Sequence, residues 1–239
     1  LGSLGTVAAR QGNPAMGQEY LGRALALFEK LAPDSLDVAI TLNNLGMVSY
    51  QRGDLASARA YYQQALNLRE KLTPASPELA GSLRNLGMVA QAQEDLPSAS
   101  AYYQQALKLE ERLAPTSLDT ASTLSRLGNL AFQRGDLTAA EAYSRRALTL
   151  RERRAPGSLD VAASLNNLGR VLQSRGDLAA ARHSEEEALG IEEELAPGSA
   201  ADAGILNNLG TIARNQGDLT AARGYFPVSY THLRAHETG

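Results

Sequence analysis

Reactive side chains are few in this chain, and their spacing argues against catalysis before any fold is considered. Of the three histidines, His232 and His236 stand four residues apart, a spacing that lets one helical face present both to zinc. No third ligand accompanies them, and His183 lies far away in sequence. There is no cysteine, which excludes disulfides, thiolate metal sites and a thiol nucleophile from the segment. No serine stands in a histidine and carboxylate pattern, and no phosphate-cradling or dinucleotide glycine loop occurs. The expectation is a non-enzymatic chain with no metal and no cofactor. RGD occurs at Arg52–Asp54, Arg134–Asp136 and Arg175–Asp177 and could pass for an adhesion motif. The repeat explains it instead: glycine closes one helix and aspartate caps the next.

The elements that carry these residues repeat. Gly5, Gly46, Gly87, Gly128, Gly169 and Gly210 lie 41 positions apart, and the residues around them return in the same order. A fixed period of this length marks a solenoid, in which each unit packs on its neighbours. The 239 residues are therefore read as one array and not as separate globular domains. Ala and Leu dominate and Trp is absent, which suits closely packed helices. A net charge of −3, from 23 basic and 26 acidic residues, gives no reason to expect nucleic acid or an anionic membrane as partner. No run of 18 apolar residues is present to span a bilayer.

Each unit opens on a proline and a serine: Pro33 with Ser35, Pro74 with Ser76, Pro115 with Ser117, Pro156 with Ser158, Pro197 with Ser199. The serines are N-caps for a first helix, A, of about 16 residues such as Leu36 to Gln51. Helix A ends at Gly12, Gly53, Gly135, Gly176 or Gly217, with Glu94 in the remaining unit. Asn13 or an aspartate (Asp54, Asp95, Asp136, Asp177, Asp218) then caps a second helix, B. So short a connection makes A and B antiparallel. The glycine inside helix A costs about 1 kcal/mol relative to alanine, so close helix approach must offset it. The expected contact is Gly46 against Ala58, in a column with Ala99, Ala140, Ala181 and Ala222. In the same register, Arg145, Arg146, Arg151 and Arg153 stand 41 residues before Glu186, Glu187, Glu192 and Glu194. These eight charges either pair along the seam between two B helices or form a solvated outer face.

Leu42, Leu45, Gly46, Ala58, Tyr62 and Ala65, with their counterparts over residues 1–226, resemble the tetratricopeptide repeat. The excess over its 34-residue unit is about one helical turn per helix. Long units with Asn-Asn-Leu-Gly in helix A resemble those of kinesin light chains and of bacterial signalling arrays attached to a CHAT protease or a nucleotide-binding switch domain. The resemblance implies an all-α fold: a right-handed α-solenoid, or superhelix, of antiparallel helix pairs over residues 1–226, with partial first and last repeats. Leu1 already fits mid-repeat, so a piece is expected upstream. Residues 227–239 leave the pattern, and VSYTHLRAHET at Val228 to Thr238 resembles a translated sequencing adapter, the mark of an artefactual tail.

By similarity to the family, Ile40, Asn43, Asn44, Met47, Tyr50 and Gln51 exemplify the positions facing the concave groove. Across the array these columns hold Arg10, Arg84, Arg126, Arg170 and Arg214 and no acidic residue, so a positive groove for an acidic or C-terminal peptide is expected. The column Asn44, Asn85, Asn167 and Asn208 resembles the asparagine ladder of O-linked N-acetylglucosamine transferase, in which amides pair with an extended peptide backbone. Asparagines bonding to their own or a neighbouring helix is the alternative. The resemblance implies a protein-interaction scaffold with a protein or peptide partner. The other reading is the sensory arm of a larger enzyme or switch, its groove filled by an effector domain of the same polypeptide. The compartment expected is the cytoplasm.

Overall fold

A computed structural model describes residues 1–226; the tail at 227–239, with its adapter-like stretch and its pair of histidines, lies outside the described residues. The helices cluster into two units, one over Leu1–Pro115 and the other from Thr116 onward. The first unit holds α1 (Gly2–Arg10), α2 (Pro14–Leu31), α3 (Leu36–Gln51), α4 (Leu55–Leu72), α5 (Pro77–Ala92) and α6 (Leu96–Leu113). The second holds α7 (Leu118–Gln133), α8 (Leu137–Arg154), α9 (Leu159–Arg175), α10 (Leu178–Leu195) and α11 (Ala200–Asn215), and residues 219–226 are helical again. Odd-numbered helices are the A helices and even-numbered ones the B helices. Within each unit every helix packs on the next in sequence, the layering of a tetratricopeptide α-solenoid.

Capping explains why the helices begin and end where they do. Ser35, Ser76, Ser117 and Ser199 accept the expected hydrogen bond from the amide three residues on, whereas Ser158 makes no such bond. Asn13, Asp54, Asp95, Asp136, Asp177 and Asp218 all cap as expected. For Asp54 and Asp95 the hydrogen bonds from Ser57 and Ser98 hold the carboxyl below its ordinary pKa. The RGD triplets are turn chemistry. Gly53, Gly135 and Gly176 take φ of 76°, 76° and 85°, their aspartates cap, and Arg52 and Arg175 bond across to Gln18 and Glu141 of the preceding B helix.

Glu94 holds the same left-handed geometry as the glycines it replaces, with φ of 61°. A side chain there crowds its own backbone. Glu94→Gly should therefore stabilise the protein by about 1 kcal/mol, measured as a higher urea midpoint; an unchanged or lower midpoint would show that the turn carries no strain.

The helix-interior glycines do permit close approach, but their partner lies one turn further along helix B than expected. A Cβ on Gly46 would lie 2.7 Å from the Tyr62 ring, and one on Gly87 would lie 2.5 Å from the Tyr103 ring. Ala58 is not among the nearest atoms. B-helix side chains lean toward their own N-terminus, so the ring at Tyr62 lies back over the turn that carries Ala58 and covers Gly46. The alanine column has its own reason to stay small: at its Gly17 member a Cβ would lie 3.0 Å from the Gly5 carbonyl oxygen and 2.9 Å from Cβ of Ala9. Gly5 meeting Leu21 while Ala9 meets Gly17 is also the register of antiparallel helices.

Four of the eight charges in the register, Arg145, Arg151, Glu186 and Glu192, find partners other than the residue facing them across the seam. Arg145 pairs with Glu141 and Glu186 with Arg182, each one turn away on its own helix, and both bonds measure 2.8 Å. Arg151 is buried, and its guanidinium donates to Ser164 Oγ at 2.5 Å and to the Asp160 carbonyl at 3.3 Å. Arg69 does the same in the first unit with Ser82 and the Glu78 carbonyl. Burial lowers the pKa of both arginines. Glu192 is likewise buried and accepts from Ser199. One-turn pairs win because neighbours on a helix surface meet at little cost in side-chain entropy.

Candidate functional site

In the second unit α7 touches α9 and α9 touches α11, so the A helices form a row. That row carries Arg126 from α7, Asn166, Asn167 and Arg170 from α9, and Asn208 and Arg214 from α11. Arg170 and Arg214 are exposed and the others half-buried. The guanidinium carbon of Arg170 lies 5.0 Å from the centroid of the Phe132 ring. An aromatic face attracts the cation and leaves the edge of its planar fork available to a carboxylate. Among the described residues, Arg126, Arg170 and Arg214 form no ion pair.

Beneath this surface lies a group that sequence reasoning missed. Glu185 of α10 is completely buried. It occupies the helix-B column that holds Leu21, Tyr62, Tyr103, Ser144 and Phe226 elsewhere, and a Cβ on Gly169 would lie 2.7 Å from its Oε1. Asn208 Nδ2 donates to Glu185 Oε1 at 3.0 Å and to Asn166 Oδ1 at 2.9 Å. Burial pushes the Glu185 carboxyl up to about 8, against smaller opposing effects of the Asn208 hydrogen bond and the Arg170 charge. The signal was legible as a lone acid in a mostly apolar column. What it would touch was not.

The first unit arranges the matching columns differently. Arg84 is not an open cation there: its Nε lies 3.5 Å from Oε1 of buried Glu110 on α6. The A-helix columns hold no acid, as expected, yet helix B supplies one from behind. An array of uniformly uncompensated arginines is therefore corrected at this position. Tyr50 is half-buried and packs on the apolar cluster of Ala58, Tyr62 and Leu86.

The asparagine column joins successive A helices. Asn44 donates to Thr6 Oγ1 at 3.4 Å, Asn85 to Asn43 Oδ1 at 2.9 Å, and Asn208 to Asn166 as above. Bonding to a neighbouring helix, the alternative left open by the sequence, is what these three amide nitrogens do. Phe132 and Asn166 occupy the expected groove columns of Tyr50 and Asn43, whereas Glu110, on helix B, stands outside the groove columns.

Sequence comparison agrees with this architecture. A family model described as tetratricopeptide repeat matches residues 1–71, 78–153 and 119–194, and a second model of the same description matches 203–229. The chain belongs to the tetratricopeptide repeat family. Comparison with curated protein sequences gives no significant match. Among solved structures it is similar to BtubC (BKLC) from P. vanneervenii, at 23% identity and a TM-score of 0.82, covering 93% of this chain and 91% of that one. It is also similar to a Podospora anserina putative kinesin light chain of nearly identical TPR-like repeats, at 15% identity and a TM-score of 0.70, covering 83% and 96%. A third likeness is YrrB, a TPR protein with an unusual peptide-binding site, at 18% identity and a TM-score of 0.60, covering 90% and 94%. At these identities the likenesses show the fold. Among the described residues no helix is long and apolar enough to cross a membrane, and no cluster of three or more His, Asp or Glu could hold a metal.

Proposed function

We propose that this protein is a non-catalytic interaction scaffold whose second unit binds an extended, acidic peptide on the face formed by α7, α9 and α11. The observation that carries the reading is the exposed Arg170, its guanidinium carbon 5.0 Å over the Phe132 ring, with Arg126 and Arg214 on the same row and no ion pair among the three. A planar guanidinium binds carboxylates through two parallel hydrogen bonds, which a point charge cannot do. Asn167, half-buried beside Arg170, has both a donor and an acceptor to offer a peptide backbone. Asn44, Asn85 and Asn208 set the spacing between A helices, and Arg84, held by Glu110, contributes less than the other arginines. The unusual peptide-binding site of YrrB shows that a related fold accommodates a peptide.

Binding of a fluorescein-labelled hexaglutamate, followed by anisotropy, tests the reading. Arg170→Ala and Arg214→Ala should each weaken binding by about 1.5 to 3 kcal/mol, the range for hydrogen bonds to charged groups. Asn167→Ala should cost about 0.5 to 1.5 kcal/mol, and added salt should weaken the complex by screening. Salt-insensitive binding, or binding unaltered in the double arginine variant, would refute the acidic-peptide reading.

A further inference from the structure

The cluster of Asn166, Glu185 and Asn208 can be satisfied in only one protonation state. The amide atom of Asn166 that faces Glu185 lies 3.1 Å from Oε2, 3.2 Å from Oε1 and 2.9 Å from Nδ2 of Asn208. Suppose that atom is the amide oxygen. It accepts from Asn208, and a proton on Glu185 Oε2 can be donated to it, while Oε1 accepts from Asn208 at 3.0 Å. Three of the four contacts are then hydrogen bonds, and turning both amides with the proton moved to Oε1 leaves no pair of like atoms at all. Suppose instead that Glu185 is ionised and the Asn166 amide turns to donate to it. Its nitrogen then faces the Asn208 nitrogen at 2.9 Å, and turning Asn208 as well places an amide oxygen against Glu185 Oε1 at 3.0 Å. Every arrangement with a carboxylate leaves one pair of like atoms in contact, so ionisation must displace an amide.

The charged surroundings decide where the negative charge would turn. From α9 the cation facing Glu185 is Arg170, and from α11 the facing group is the neutral Asn208. On α10 itself Arg182 is held by Glu186 at 2.8 Å, and His183 lies 3.8 Å from Glu187, both pairs on the outer surface.

We propose that Glu185 is a proton-operated clasp beneath the A-helix row of the second unit. Neutral, it holds Asn166 and Asn208 inward and leaves Arg170 open to a ligand carboxylate; ionised, it releases an amide and competes for Arg170. The inference rests on the acidic-peptide reading of this face and names how that face is regulated. Acidic ligands bind more tightly to the protonated form, and their binding draws a proton onto Glu185. The buried, raised carboxyl fits this behaviour, since desolvation favours the uncharged acid.

The test uses the full chain and Glu185→Gln, whose side chain reproduces the donor and acceptor of the neutral acid. Labelled hexaglutamate is titrated at about pH 6.5 and about pH 9 at constant ionic strength, where the probe carboxylates stay ionised. The wild type should bind at least about fivefold more tightly at the lower pH, the coupling expected between linked sites. Glu185→Gln should bind tightly at both. Equal wild-type affinity at the two pH values, or a Glu185→Gln variant that keeps the full pH dependence, overturns the clasp and leaves the peptide reading standing. If neither protein binds the probe, the peptide reading fails, and carboxyl NMR then decides the clasp by itself. Glu185 titrating above neutrality together with the Asn166 and Asn208 amide signals supports it, and titration in the ordinary carboxylate range overturns it.

Discussion

Gly87→Leu should lower the unfolding free energy by about 3 kcal/mol, the upper range for overpacking a well-filled contact. The first atom of the new side chain would already lie 2.5 Å from Cε1 and 2.6 Å from Cδ1 of Tyr103. That ring cannot step aside: it is completely buried, and its hydroxyl donates to Gln91 at 3.1 Å. Moving α5 away from α6 would open the apolar cluster that includes Leu83, Leu86, Ala106 and Leu109. Gly128→Ala provides the contrast. Its Cβ would meet Ser144 Oγ at 3.1 Å and nothing else closer than 3.5 Å. A hydroxyl can rotate, and alanine gains about 1 kcal/mol of helix propensity over glycine, so this variant should be neutral or slightly stabilised. Urea unfolding followed by circular dichroism distinguishes the two. Equal losses at both positions would show that the ring contact is not what keeps the glycine small.

Stability should fall as the pH rises from about 5 to about 9, and Glu185→Gln should remove most of that fall. An unfolded glutamate titrates near 4.3, whereas burial raises Glu185 in the folded chain to about 8. The folded state therefore keeps a proton that the unfolded chain gives up. The stabilisation is complete below the unfolded value, declines as the pH rises between the two, and is gone above the folded one. At about 1.4 kcal/mol per unit, a shift of this size caps the effect at about 5 kcal/mol. Rearrangement of the amides on ionisation reduces it, so a loss of about 2 to 4 kcal/mol is expected. Carboxyls held low act in the opposite sense: Glu141, bonded by Arg145 and Arg175, stabilises the fold above the ordinary carboxylate range and loses that contribution as the pH drops. Urea midpoints of wild type and Glu185→Gln across the range measure the difference. A wild-type profile that rises toward pH 9, or a variant that still loses stability in step with it, would contradict the assignment.

Much of the local architecture was legible because it depends on interactions within a few residues. Asp54 capping at Ser57, Gly53 in the left-handed region and the 16-residue extent of α3 each follow from side chains close along the chain. The strained Glu94 could be named for the same reason. The repeat then carried those local rules along the described chain without any tertiary information. It also told which helix faces are apolar, since Leu42, Leu45 and Ala65 recur at helical spacing and are buried.

Only the tertiary structure decided which side chains cross from one helix to another. The lean of side chains along helix B moved the partner of Gly46 from Ala58 to Tyr62. The same reach brought Glu110 up to Arg84 and Glu185 between Asn166 and Asn208, contacts that the column of neither acid announces. Periodicity assigns a residue to a face, but contact depends on side-chain length, direction and the room left by neighbours, and none of these is periodic. A backbone repeat can therefore be read from spacing, whereas the protonation state and charge balance of its polar clusters exist only once the helices are packed.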